Sequence, residues 1–82
     1  MERFIIEHPT RGTLKFLVSE HEYGFSTTGS RNDPEKTMQF HSLTEAKRIF
    51  GKLPDPIRNK TKILRWVHPG PREYGRYEEV TD

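Results

Sequence analysis

The stretch Phe40-His41-Ser42-Leu43-Thr44-Glu45-Ala46-Lys47-Arg48-Ile49-Phe50-Gly51-Lys52-Leu53-Pro54 constrains the fold more than any other part of the chain. It reads as a short strand running into a helix with a defined start and stop. Ser42 is the expected N-cap, and Glu45 sits three residues on. At that spacing the serine oxygen accepts from the Glu45 amide and the Glu45 carboxylate reaches back to the amide of Ser42. Leu43, Ala46, Ile49, Phe50 and Leu53 fall within ~120° of one another at the helical period, which makes one buried stripe. Thr44, Lys47, Arg48 and Lys52 face water. Gly51 is the expected C-terminal cap, and Pro54 and Pro56 forbid continuation.

Strand patterns flank this helix. Arg3 to His8 places Phe4 and Ile6 on one face. Pro9-Thr10-Arg11-Gly12 is turn chemistry, and Thr13 to Val18 alternates with Leu14, Phe16 and Val18 on one side. The two runs predict a hairpin. Tyr23 to Thr27 is expected as a third strand, and Thr28 to Lys36 as a loop. Met38 and Phe40 alternate along a fourth strand. Lys62 to Val67 is the last, with Leu64 and Trp66 on one face and Ile63, Arg65 and Val67 on the other. The expected fold class is α+β: a small antiparallel sheet of four to five strands in the order β-β-β-β-α-β, with one helix packed on a face. Residues 1–68 form the single domain, and 69–82 are expected to be a flexible C-terminal tail. The second sheet face has little left to cover it, so it is either partly exposed or a binding surface.

The chain has 82 residues and no cysteine, so disulfides and thiolate chemistry are excluded. No apolar N-terminal run reads as a signal peptide and no segment reaches bilayer-spanning length. The expectation is an intracellular, cytoplasmic protein with no membrane partner. His8, His21, His41 and His68 lie far apart in no metal-ligand spacing, and neighbours in Glu20-His21-Glu22 alternate faces. Neither a nucleophile motif nor a phosphate-cradling glycine loop is present. No metal, no cofactor and no enzymatic activity are therefore expected.

Charge is uneven. From Lys47 to Arg76 there are nine Lys/Arg against Asp55 and Glu73, while the whole chain carries only +2. Such a block suits an acidic partner, either nucleic acid or a carboxylate-rich protein surface; its alternative is a solvated face. Arg65-Trp66 and Arg72-Glu73-Tyr74-Gly75-Arg76-Tyr77 interleave cations with aromatics, the mixture that single-stranded nucleic-acid binders use; Trp66 as a core residue is the competing reading. The candidate partner-binding residues are Arg58, Lys60, Lys62, Arg65, Arg72, Arg76, Tyr74 and Tyr77, with Arg58, Lys60 and Lys62 expected on one face.

Two resemblances bear on function. Phe40, Ser42, Glu45 and Ala46 follow a sheet as in plant AP2-type and phage-integrase arm DNA-binding domains, although the groove-reading arginine- and tryptophan-rich strands of those domains are missing. Phe40, Ser42, Phe50, Leu53 and Pro54 resemble the strand-then-helix segment of small phage-encoded anti-CRISPR proteins, one of which caps the backbone subunit of a Cascade-type effector. That resemblance covers 15 residues and brings over no contact residue. It implies a non-enzymatic inhibitor of phage or mobile-element type that occludes the surface of a host protein or ribonucleoprotein complex. The alternative is a DNA- or RNA-binding module that uses the basic 47–76 segment.

Overall fold

The computed structural model describes residues 2–27, 33, 35–67 and 75–80. Strands β1 (Phe4–His8), β2 (Gly12–Ser19) and β3 (Glu22–Ser26) come first. Helices α1 (Leu43–Phe50) and α2 (Asp55–Arg58) follow, then strands β4 (Lys62–Val67) and β5 (Arg76–Glu79). All five strands join one sheet in the order β3-β2-β1-β4-β5, and every pairing is antiparallel. The α+β class expected from the sequence is what forms, with α1 packed against β1 and β4.

The turn between β1 and β2 is built from its own side chains. His8 is buried, and its Nδ1 accepts from the amides of Thr10 and Arg11, each at 3.2 Å. Gly12 takes φ +89°, and a β-carbon there would run into the carbonyl of Ser26. Both the dihedral and the space therefore require glycine.

Beyond this turn β1 and β2 separate, since their ladder is only Glu7↔Thr13 and His8↔Gly12. The segment 38–40 enters the gap. Phe40 exchanges backbone bonds with Phe4 at 2.7 and 2.9 Å, and the Met38 amide donates to Leu14 O at 2.8 Å. The fourth strand expected here is thus reduced to an isolated bridge at Phe40. The segment divides its bonds between two diverging strands and follows neither.

The clean alternation expected in β2 is also broken. The β2–β3 register shifts between Leu14 and Phe16 and again between Leu17 and Ser19. Each shift inserts a residue on one strand, which moves later side chains to the other face. Leu14 and Leu17 consequently pack against the core, while Phe16 and Val18 are exposed.

α1 begins and ends as expected, by different means. Ser42 sits at the N-cap with extended φ −139°, and its carbonyl accepts the first helical bond from Ala46 at 3.1 Å. Its side chain makes no cap bond, so the capping box does not close. Gly51 ends the helix with right-handed φ −65°, its amide donating to Lys47 O at 2.9 Å. Ala46, Ile49 and Leu53 are buried against Phe4, Ile6, Leu14, Phe40 and Ile63, with Leu43 and Phe50 half-buried at the margin. The prolines that stop α1 also start α2: Pro54 is its N-cap and Pro56 stands in its first turn, where a missing amide costs nothing.

The C-terminal region corrects one expectation. Arg76–Glu79, placed in the flexible tail by composition, is a strand paired to β4 through Leu64↔Glu79, Arg65↔Glu78, Trp66↔Tyr77 and Val67↔Arg76. The Val80 amide extends the ladder to Ile63 O at 2.9 Å. Alternating charges conceal the strand in the sequence, because Lys62–Glu79 and Arg76–Glu78 pair across or along the ladder only once it is formed. The remainder of the expected tail, 69–74, 81 and 82, lies outside the described residues.

Candidate partner-binding face

The face of the sheet opposite α1 is set by strand alternation. It carries Arg3, Ile5 and Glu7 from the first strand, Lys62, Leu64 and Trp66 from β4, and Tyr77 and Glu79 from β5. Its centre is not bare, since Ile5 and Leu64 stand opposite each other and both are buried. Thr13 is buried there too, bonded through its hydroxyl to that of Thr37 at 2.7 Å.

Toward the β5 edge this face becomes aromatic. Trp66 and Tyr77 are directly paired, with ring centroids 5.0 Å apart and planes at 61°, an edge-to-face contact. The Arg3 guanidinium lies over the indole, 5.7 Å from its centroid, within cation–π range. A β-carbon on Gly75 would collide with the indole, so the chain passes against its surface. Trp66 is half-buried and stands apart from the core cluster. Its indole N–H has no hydrogen-bond partner among the described residues and is not sealed from solvent. Further along the same face the charges are balanced: Lys62 is 3.4 Å from Glu79 and opposite Glu7.

The structure disperses the basic block. Lys47 and Arg48 are exposed on α1, and Lys52 is exposed in the turn that follows it. Arg58 serves the α1–α2 turn, donating to Gly51 O at 3.1 Å and Leu53 O at 3.4 Å and pairing with Asp55. Lys60 follows α2 and raises the positive potential at His8. Lys62 and Arg65, three apart on β4, occupy opposite faces. Arg65 lies over Phe4 on the helix side, 5.7 Å from the ring centroid. Arg76 is held by Glu78 at 2.9 Å. Arg58, Lys60 and Lys62 therefore do not share one face. Of the sequence candidates, only Tyr77 is found against Trp66 among the described residues, while Lys62 lies on the same face four residues back along β4; Arg72 and Tyr74 lie outside the described residues. Arg3 and Gly75 were missed. Arg3 falls beside Trp66 only through the long-range β1–β4 pairing, and Gly75 carries no side chain to flag it.

Among the described residues no three His, Asp or Glu side chains come together as metal ligands. Among the described residues no helix is long and apolar enough to cross a membrane. An open groove of about 620 Å³ lies between the β2–β3 turn and the α1–α2 turn. Its guanidinium, from Arg58, is already committed to two carbonyls and Asp55. Comparison with protein-family models, curated proteins and solved structures finds no match.

Proposed function

We propose that this chain is a small non-enzymatic binding protein that acts by covering the surface of a partner, with the Arg3–Trp66–Tyr77 patch as its anchor. The observation that carries the reading is Trp66 itself. A tryptophan held between a guanidinium and a second ring, outside the core and with its N–H unpaired among the described residues, has the make-up of an interface hot spot. The anti-CRISPR resemblance supplies the partner class, a host protein or ribonucleoprotein complex that the chain inhibits by occlusion. Charge balance along the same face, where Lys62 meets Glu79 and Glu7, favours a protein surface over a polyanion.

A second reading, direct nucleic-acid binding, rests on the same Arg3–Trp66 pair, since bases stack on aromatics and cations meet phosphates. Salt separates the two. Affinity capture from a host lysate with the wild-type chain, repeated with Arg3→Ala and Tyr77→Ala, should lose its partner in the variants. Binding to nucleic acid should fall ~10-fold or more between about 50 and 200 mM salt. A captured partner that both variants retain removes the patch from the interface.

A further inference from the structure

The two edges of the sheet, β3 and β5, are built differently. In β5, Arg76, Glu78 and Glu79 are charged, and charge protects an edge from pairing with another strand. β3 has one charge, Glu22 at its start, followed by Tyr23-Gly24-Phe25-Ser26 with neither lysine nor proline. Beside it, β2 exposes Phe16 at 44% and Val18 at 66%. Among the described residues no further strand lies beyond β3.

We propose that β3 pairs antiparallel with β3 of a second copy of this chain, about a twofold axis at Gly24, to make one continuous sheet. The register is self-complementary. Gly24 stands opposite Gly24 of the second copy, Tyr23 opposite Phe25, and Glu22 opposite Ser26. Tyr23 and Phe25 already form an edge-to-face pair within one copy, centroids 6.1 Å apart, and the twofold adds two cross-strand aromatic pairs. No like charges meet. On the opposite face the glycine pair leaves a gap without side chains. Each Phe16 already leans over its own Gly24 from the neighbouring strand. The two Phe16 rings therefore close over that gap and lose their exposure, as aromatics do when they cover glycines in designed sheets. The proposal is independent of the Trp66 patch, which lies toward the other edge. A twofold normal to the sheet would present two such patches on one face, where a repetitive partner would engage both.

The test is sedimentation velocity over a dilution series of the full chain, with circular dichroism melts as a fold control. The wild type should be dimeric when concentrated and dissociate on dilution. Ser26→Glu places a carboxylate opposite Glu22 of the other copy, twice by symmetry, and should weaken the dimer about tenfold. Adding Glu22→Lys to Ser26→Glu turns both clashes into attractions and should restore it. Phe16→Ser should weaken it while leaving the melt of the dilute, monomeric chain unaltered. A wild-type chain that stays monomeric at millimolar concentration, or a dimer that Ser26→Glu leaves untouched, overturns the proposal.

Discussion

The ring of Phe16 occupies the space that a β-carbon on Gly24 would need. The same is true of the Gly12 position and the Ser26 carbonyl, but the consequences differ. Phe16 is an exposed side chain and can swing away, whereas the Ser26 carbonyl is backbone, and Gly12 also has φ +89°. Gly24→Ala should therefore change stability by less than about 1 kcal/mol, because relief from glycine's strand penalty offsets the displaced ring. Gly12→Ala should cost clearly more than about 1 kcal/mol. Urea midpoints of the two variants measure the difference, and equal midpoints would remove the positive φ from the account.

The start of α1 carries the second prediction. Serine three residues before glutamate predicts a cap worth about 1 kcal/mol. In the structure the Ser42 hydroxyl makes no cap bond, and only its carbonyl and extended backbone serve the helix. Ser42→Ala should therefore shift stability by no more than about 0.5 kcal/mol. A loss near the full cap value in chemical denaturation would show that the hydroxyl does reach the first turn.

This case marks what was legible in the sequence. The helix limits at Ser42 and Gly51 and the β4 pattern at Ile63 and Leu64 follow from local periodicity and turn chemistry, and they are found where expected. The displaced features are all set by pairing at a distance. Phe16 is turned outward by bulges against β3, Phe40 is captured by Phe4, and Arg76–Glu79 becomes a strand because β4 offers a ladder. The Trp66 patch belongs with them, because Arg3 is 63 positions from Trp66 in the chain yet sits over its ring. Local pattern gives a residue's neighbours along its own strand, and carries no register with the next one.

Acid should loosen the first hairpin. His8 is held below its ordinary value of 6.5, chiefly by burial and then by the positive charges of Arg11 and Lys60. Its Nδ1 accepts two backbone amides, which only the unprotonated ring nitrogen can do. Because the folded value lies below the unfolded one, the unfolded chain takes up the proton first as pH falls. The stabilisation is complete above pH 6.5 and is lost as pH drops from there through the folded value. His8→Asn keeps an acceptor for amides two and three residues on, the Asx-turn arrangement, and does not titrate. Denaturation midpoints between neutral pH and pH 5 should fall for the wild type and flatten for His8→Asn; parallel curves would assign the acid sensitivity elsewhere.

The last prediction separates the basic block from the Trp66 patch. Reversing Arg58, Lys60 and Lys62 to glutamate is not a surface change of uniform kind. Glutamate at 58 would face the carbonyls of Gly51 and Leu53 and the carboxylate of Asp55, and at 62 it would meet Glu79. That triple variant should lose about 1–3 kcal/mol, so weakened binding by it would not locate an interface. Arg48→Glu with Lys52→Glu is the cleaner probe, since both residues are exposed, Arg48 on α1 and Lys52 in the turn that follows it. Their reversal should cost less than about 0.5 kcal/mol each. A protein partner seated on the patch should bind this double variant with unchanged affinity and bind Arg3→Ala or Tyr77→Ala more weakly by at least about 1 kcal/mol. A nucleic-acid partner running along α1 should give the opposite result, with weaker binding and a salt slope reduced by roughly one for each phosphate contact removed. Isothermal titration of the four chains at two salt concentrations distinguishes these outcomes, because the patch variants leave Arg48 and Lys52 in place and the double variant leaves the Arg3–Trp66–Tyr77 group intact.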